Sequence, residues 1–85
     1  MRKRGRVHDQ PAELLAYRRR VGDRLRRARG RAGLTQQVLA ERAGIDKQAI
    51  SLIENAHSSP RLDTLWRIAR ALGEPIDVIV CDDRA

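Results

Sequence analysis

Apolar residues recur at helical spacing in the first third of the chain. Successive members are seven, four, three and four positions apart, the period of one face of an α-helix: Leu14, Val21, Leu25, Ala28 and Ala32. Pro11 suits the first position of this predicted helix, and Gly33 suits its C-terminal end. Gly22 lies inside the segment, and because glycine weakens a helix, it predicts a break between an N-terminal extension and the helix proper.

Three shorter helices are predicted after the first. Thr35 is expected to cap a second helix that ends near Ala43, and Asp46 to cap a third helix over residues 47–55. A loop containing serine and proline separates them from a fourth helix over residues 62–72. The apolar positions of the fourth helix share one face: Leu62, Leu65, Ile68, Ala69 and Leu72.

The last apolar segment, Ile76 to Cys81, has four β-branched aliphatic residues in six positions, which favours a strand. A lone strand leaves its backbone N–H and C=O groups unpaired, so we expect it to pair with its symmetry mate in a homodimer. The rival is a fifth helix with Ile76, Ile79 and Val80 on one face. Trp66, off the apolar face of the fourth helix, either borders the core or joins an interface. The residues predicted for dimerisation are Trp66, Ile76, Val78, Ile79 and Val80.

Composition adds a size and a charge to this pattern. A chain of 85 residues suffices for one small domain, and with 2% aromatic residues its core must be aliphatic. Residues 1–31 hold 12 basic and 3 acidic side chains, whereas residues 32–85 hold 6 basic and 8 acidic side chains. Such clustered arginine indicates a polyanionic partner. The sequence therefore predicts an all-α fold with one short C-terminal strand, in three parts: a flexible basic arm (1–10), a folded domain (11–81) and a polar tail (82–85).

Several classes of function are disfavoured by motifs that the sequence lacks. It contains no phosphate-binding loop, nucleophile elbow or zinc-protease motif, so we expect neither an enzyme nor a cofactor. The single cysteine, Cys81, excludes an intramolecular disulfide and a multi-cysteine metal site. No apolar segment has the length of a membrane span, and none follows the basic N-terminus as an export signal would. We therefore expect a cytoplasmic protein that does not bind membranes.

The most informative segment lies between Gln36 and Ile53. Two short predicted helices are joined there by a tight turn around Gly44, where a positive φ is expected. Ala40 is small at the point where the helices would cross, and Ile50 and Ile53 would hold the second helix on the first. This is the construction of a helix-turn-helix, whose second helix is free to enter a DNA major groove.

Two stretches of this region closely resemble the phage-repressor-like (Cro-type, XRE) helix-turn-helix family: residues 33–45, GLTQQVLAERAGI, and residues 50–55, ISLIEN. The apolar positions of the predicted fourth helix match the same family, so the resemblance covers roughly residues 21–80. It implies a compact lambda-repressor-like domain that binds double-stranded DNA, is usually dimeric and usually represses transcription. On this resemblance we expect a dimeric repressor that reads a pseudo-palindromic operator.

The resemblance also implies roles for individual residues. Lys47, Gln48 and Ser51 match outward positions that read bases. Glutamine can bond adenine with both ends of its amide, and lysine can donate to guanine. Gln36 matches a position that touches a phosphate and braces the recognition helix, and Asn55 with the loop after it matches phosphate contacts. The residues predicted to contact DNA are Gln36, Lys47, Gln48, Ser51, Leu52, Asn55, His57, Ser58 and Arg61.

The sequence departs from the family pattern at three positions. Leu52 is apolar where a polar reader is often found, so it could meet only a thymine methyl group. Ala56 stands where glycine is commonest, so either Asn55 or Ala56 must take the turn. Arg61 replaces the usual serine or threonine cap before the fourth helix. In the loop between them, His57 is either a phosphate neighbour or an ordinary loop residue.

Charged residues of the N-terminal third carry further expectations. The resemblance pairs Arg29 with Glu54 in a structural salt bridge that fastens the first helix to the third. The other arginines of the first helix are either phosphate contacts or a solvated surface. The arm over residues 1–10 either enters a minor groove or only aids solubility.

Within the family, the C-terminal segment points to one group of proteins. Residues 76–82 resemble the C-terminal strand of the HipB-like antitoxins, which pairs across their dimer. This implies repression of the protein's own operon and a HipA-type kinase toxin as partner. The alternative from another class is a protein-interaction adaptor that uses the same helical domain without specific DNA binding. The polar residues Lys47, Gln48 and Ser51 and the positive net charge favour DNA.

Overall fold

The computed structural model describes residues 11–82, and within that range the secondary structure is five helices without a strand. In chain order the helices are α1 (Ala12–Arg31), α2 (Gln36–Ala43), α3 (Lys47–Glu54), α4 (Leu62–Leu72) and α5 (Asp77–Val80). The four helices predicted from apolar spacing are confirmed. The expectations for the arm over residues 1–10 and for residues 83–85 lie outside the described residues.

The core is aliphatic, as the composition predicts. Each helix contributes one large, fully buried side chain: Leu25, Leu39, Ile50, Ile68 and Ile79. α1 packs against α3 and α5, while α2 packs against α3 and α4. Truncating a buried leucine or isoleucine to alanine typically costs about 2–5 kcal/mol. The position of α3 therefore depends on packing that all five helices share.

The turns follow the chemistry of the residues at the helix ends. Thr35 Oγ1 accepts a hydrogen bond from the backbone N–H of Val38 at 3.1 Å, so it caps α2 as predicted. Gly44 takes a φ of 71° after α2, which confirms the expected positive φ. Asp46 stands at the N-cap of α3, but its side chain makes no capping hydrogen bond. Ala56 takes the turn after α3 at a φ of 61°, a conformation that costs a residue with a β-carbon about 1–2 kcal/mol.

The predicted break at Gly22 is wrong, because α1 runs without interruption from Ala12 to Arg31. Gly22 is buried where α1 crosses the end of α3. A β-carbon added there would lie 2.7 Å from the carbonyl oxygens of both Ile53 and Glu54. The glycine therefore allows two backbones to approach closely, and this packing offsets the ~1 kcal/mol that glycine costs inside a helix.

The predicted C-terminal strand is wrong as well, because residues 77–80 form the short helix α5. The backbone N–H of Val80 bonds to the carbonyl of Ile76 at 3.1 Å. This turn buries Ile79 completely and packs Ile76 and Val80 against the core. It is the rival arrangement, with these three residues on one face. Burying an isoleucine is worth about 1.5–3 kcal/mol, more than the helix propensity that β-branched residues lose.

Side chains of α1 hold α5 and Asp82, which lies two residues after it, against the rest of the domain. The hydroxyl of Tyr17 donates to the carbonyl of Val80. Arg20 Nε donates to Asp82 Oδ1 at 2.8 Å, and Arg24 pairs with the same carboxylate. Hydrogen bonds from Arg20 and then Arg24 hold the pKa of Asp82 below its usual value. This fastening is therefore complete above the ordinary aspartate pKa and is lost as the pH falls through the lowered value.

The helical C-terminus changes the predicted dimer interface. Ile79 lies inside its own domain and cannot face a partner. The other predicted C-terminal contacts are half-buried: Ile76, Val78 and Val80. Trp66, by contrast, is 56% exposed. The likeness to HipB-like antitoxins is based on a strand over residues 76–82. Because residues 77–80 are helical, no residue of this segment supports that likeness or a HipA-type toxin partner.

We expect Gly22→Ala to destabilise the fold by about 1–3 kcal/mol, because the new methyl group would force α1 away from two carbonyl oxygens at the end of α3. Urea unfolding followed by circular dichroism measures the change. Gly30→Ala is the matched control in the same helix, where an added β-carbon meets nothing within 4 Å. The control should raise stability by up to about 1 kcal/mol. Equal effects of the two substitutions would contradict the close approach at Gly22.

Candidate nucleic-acid interface

The turn between α2 and α3 orients the two helices. Residues 44–46 join them, and the left-handed Gly44 brings the backbone N–H of Ile45 to 3.0 Å from the carbonyl of Ala40. That bond closes the end of α2 and redirects the chain within three residues. Ile50 and Ile53 bury one face of α3 in the core. The opposite face of α3 is consequently open.

The open face of α3 brings together the residues predicted to read bases. Lys47, Gln48 and Leu52 are exposed, and Ser51 is half-buried. Because residues four apart are neighbours on a helix surface, they form two rows: Lys47 with Ser51, and Gln48 with Leu52. The first turn of α3 thus presents an ammonium group and an amide, and the next turn presents a hydroxyl and a leucine.

Asn55 closes the C-terminal end of α3. Its Nδ2 donates to the carbonyl of Ser51 at 2.8 Å and lies 3.4 Å from Ser51 Oγ. The backbone N–H groups of Ala56 and His57 donate to the carbonyls of Ile53 and Leu52 at 3.1 and 2.8 Å, so backbone and side-chain hydrogen bonds together hold the turn after α3. The remaining predicted phosphate contacts lie beyond it: His57 and Arg61 are exposed and Ser58 is half-buried.

A buried carboxylate lies behind the open face of α3. The side chain of Glu54 is 1% exposed; its Oε2 accepts from Arg29 Nε at 2.6 Å, and its Oε1 accepts from Arg29 Nη2 at 2.9 Å. Gln36 Nε2 donates to the same Oε1 at 3.0 Å. The hydrogen bond to Glu54 raises the pKa of the Arg29 guanidinium further, so this group stays charged. α1, α2 and α3 therefore meet at one charge whose hydrogen bonds are satisfied.

Gln36 stands at the point where both of its predicted roles can operate. Its side chain braces α3 through Glu54, and one N–H of the same amide remains for another acceptor. Gln36 is also the first residue of α2, where backbone N–H groups lack partners within the helix. Such donors at a helix start suit a phosphate oxygen.

Arg26 makes a contact that sequence reasoning missed. Its Nη2 donates to the backbone carbonyl of Glu54 at 2.8 Å, at the negative end of the α3 dipole. The position of Arg26, one turn before Arg29 on α1, was the one signal in the sequence. Arg20 and Arg24 face the C-terminus of the chain instead. The arginines of α1 are thus divided between two faces, an arrangement that composition does not predict.

The part of the chain that the structure describes offers neither a cluster of metal ligands nor a membrane-spanning helix. Within residues 11–82 no three histidine, cysteine, aspartate or glutamate side chains are grouped to hold a metal ion. In the same range, every helix is too short or too polar to cross a membrane. The candidate site is the exposed face of α3 together with the loop that follows it.

The two helices, their tight turn and the open face of the second define a helix-turn-helix protein. Residues 25–79 match the helix-turn-helix family HTH_3, and the chain belongs to that family. The resemblance to phage-repressor-like proteins is thereby confirmed.

Similar proteins carry names from transcriptional control. The chain is 46% identical over 61 residues to an uncharacterized HTH-type transcriptional regulator of Methanothermobacter thermautotrophicus, covering 69% of this chain and 88% of that protein. It is 36% identical over 63 residues to the immunity repressor protein of Bacillus phage phi105, covering 74% of this chain and 44% of that protein. Transcriptional regulators are generally not enzymes.

Solved structures share the fold. The restriction-modification controller protein C.AhdI from Aeromonas hydrophila aligns with a TM-score of 0.73 at 28% identity, over 75% of this chain and 97% of that chain. A transcriptional regulator of the HTH_3 family from Vibrio cholerae aligns with a TM-score of 0.75 at 28% identity, over 81% of this chain and 39% of that chain. The helix-turn-helix fold is therefore common to this chain and to both proteins.

We expect Arg29 and Glu54 to be coupled energetically. Arg29→Met leaves a buried carboxylate without its bidentate partner, and removing one member of a buried pair typically costs about 3–5 kcal/mol. Thermal and urea unfolding of Arg29→Met, Glu54→Gln and the double variant form a double-mutant cycle. The double variant should lose much less stability than the two single losses added together; additive losses would count against the pair. Arg20→Met, which removes an exposed ion pair from the same helix, is the control and should change stability little.

Proposed function

We propose that the protein is a sequence-specific DNA-binding transcriptional regulator that places α3 in the major groove as a dimer. The observation that carries the proposal is the open face of α3, where polar side chains project from a helix whose other face is fully buried. The major groove admits an α-helix, and the side chains on its outer face then meet the base edges. The names of the similar proteins support the same class of function.

Lys47 and Gln48, in the first turn of α3, are proposed to read bases. A lysine ammonium donates to O6 and N7 of guanine, and a glutamine amide bonds both N6 and N7 of adenine. Ser51 adds a hydroxyl one turn further on. Residues near the start of a recognition helix commonly approach the bases most closely, which suits these roles.

The residues around α3 are proposed to bind phosphates and thereby fix its register. Gln36 begins α2, Asn55 ends α3 and Arg61 precedes α4, with His57 and Ser58 in the loop between. Contacts of this kind position a protein on the duplex without reading sequence. Gln36 and Asn55 are themselves hydrogen-bonded to residues of α3. A phosphate bound by them would therefore lie at a fixed distance and orientation from the open face of α3.

Repression is the proposed outcome of binding. A protein bound over a promoter excludes the polymerase from the same DNA, so no further activity is needed. The similar phage protein is named an immunity repressor, which supports this direction of control.

Selection from random duplexes, followed by titration at two salt concentrations, tests this function against the protein-interaction adaptor. A DNA-binding regulator should enrich a sequence, and its affinity should fall with salt at a log–log slope near −0.9 per phosphate neutralised. An adaptor should enrich no sequence and bind weakly at either salt concentration.

We expect Gln48→Ala and Asn55→Ala to weaken binding in different ways. Gln48→Ala should cost about 1–3 kcal/mol on the selected site and relax the preference at one base pair. Asn55→Ala should weaken binding to all sequences about equally, because a phosphate carries no sequence information. Repeating the selection with each variant separates the two effects. A binding-site preference that is unchanged by Gln48→Ala would contradict the proposed base contact.

A ridge on α4 is the proposed dimer contact. Leu62 and Trp66 are 72% and 56% exposed and lie four positions apart, so their side chains are neighbours. The guanidinium of Arg70 stacks over the indole of Trp66 at 5.3 Å. Tryptophan and arginine are enriched at protein interfaces. A two-fold pair that places its recognition helices about 34 Å apart would read a pseudo-palindrome.

We expect Trp66→Ala to weaken dimerisation without unfolding the domain, because the indole lies outside the core. Sedimentation velocity over a range of concentrations should give a dimer dissociation constant at least tenfold higher, and affinity for a two-half-site duplex should fall with it. Leu15→Ala, an exposed leucine on α1, is the control and should change neither. A Trp66→Ala protein as dimeric as the unaltered protein would place the interface elsewhere.

A further inference from the structure

The open face of α3 consists of Lys47, Gln48, Ser51 and Leu52, and only one of these side chains is apolar. Leu52 is 37% exposed, whereas the other large aliphatic residues of α3, Ile50 and Ile53, are buried. Leu52 lies one turn after Gln48 in the same row, so it borders the side chain proposed to read adenine. Its position differs from that of a core residue, because a substantial part of its surface faces the space that DNA would occupy.

The polar groups nearest Leu52 are already engaged in hydrogen bonds within the protein. Ser51 accepts hydrogen bonds from the Asn55 amide at its carbonyl and, at 3.4 Å, at its hydroxyl. The backbone carbonyl of Leu52 is taken by the N–H of His57 at 2.8 Å. The second turn of α3 therefore presents the hydrocarbon of Leu52 beside the hydroxyl of Ser51, whereas the ammonium and amide groups belong to the first turn.

Hydrocarbon can distinguish bases in the major groove by one group. Thymine carries a methyl group at C5, and a leucine that covers it removes apolar surface from water on both sides. Cytosine methylated at C5 presents the same group at the same place on the pyrimidine ring. A residue that forms hydrogen bonds tells thymine from 5-methylcytosine by O4 and N4, whereas leucine has no means to do so.

We infer that Leu52 makes this protein a reader of C5-methyl groups, so that its binding responds to cytosine methylation at one base pair of each half-site. The inference rests on the proposed function, because it assumes that α3 lies in the major groove. At that base pair, thymine and 5-methylcytosine favour binding, and deoxyuridine and unmethylated cytosine disfavour it. Methylation of the operator is then a signal that this face of α3 can detect.

The experiment begins with the sequence enriched from random duplexes by the full chain. Each thymine of one half-site is replaced in turn by deoxyuridine, which removes the C5-methyl group alone, and the dissociation constant is measured. One position per half-site should lose about fourfold in affinity, the worth of one buried methyl group. At that position, opposite guanine, 5-methylcytosine should bind about fourfold more tightly than cytosine.

Three variants assign the effect to Leu52. Leu52→Ala should bind thymine and deoxyuridine equally at that position, and Leu52→Met, which keeps an apolar side chain of similar size, should retain the difference. Leu15→Ala removes a leucine of equal exposure from α1 and should leave the ratio unchanged. Thermal melting checks that all three variants are folded.

The possible outcomes distinguish a failure of this inference from a failure of the proposed DNA-binding function. Equal affinity for thymine and deoxyuridine at every position, or a difference that survives Leu52→Ala, would overturn the inference while leaving specific DNA binding intact. Failure to enrich any sequence would overturn the proposed function and this inference together.

Discussion

The structure depends on one buried carboxylate at the C-terminal end of α3. Glu54 lies between three helices and receives hydrogen bonds from Arg29 of α1 and Gln36 of α2. A carboxylate removed from water in this way is costly unless its oxygens are bonded. Satisfying it requires that α1 and α2 keep a fixed geometry relative to α3. The same hydrogen bonds that compensate the buried charge therefore fix the orientation of α3 and of its open face.

The two ends of α3 are held differently, and the difference suits recognition. At the C-terminal end, Gly22 allows the backbone of α1 to touch that of α3, Arg26 bonds the last carbonyl, and Asn55 bonds the carbonyl of Ser51. At the N-terminal end, Asp46 makes no side-chain cap, and the side chain of Lys47 is exposed. A helix anchored at its far end can present its first turn to DNA without reorganising, which reduces the conformational entropy lost on binding.

The elements that the sequence predicts correctly are those whose cause is local. Periodic apolar residues give α1 to α4, Thr35 caps α2, and Gly44 takes the left-handed turn, all from side chains or backbone within a few positions. The two errors in secondary structure arise where a distant residue decides. By local propensity Gly22 is a helix breaker, whereas its role in the fold is a contact with the end of α3. Residues 77–80 have strand composition but fold as a helix because the turn buries Ile79.

The surface positions of the candidate site are predictable from the sequence because they follow from the register of one helix, whereas its long-range contacts are not. The register of a helix-turn-helix places Lys47, Gln48 and Leu52 on one face, and the structure leaves all three exposed. The role of Arg26 is not predictable, because its partner is a backbone carbonyl that any residue would supply. Sequence reasoning finds partners by side-chain type, so bonds to the backbone of a distant element leave almost no signal.

Net charge is a poor guide to how many phosphates this protein can neutralise. The basic side chains are concentrated before residue 32, yet several arginines of α1 are engaged within the protein. Arg20 and Arg24 hold Asp82, and Arg26 and Arg29 hold the end of α3. A guanidinium that is already paired releases fewer counterions when DNA approaches, because its charge is partly compensated. The salt dependence of binding should consequently follow the basic residues of α3 and its flanking loop, such as Lys47 and Arg61, more closely than it follows the formal charge of the chain.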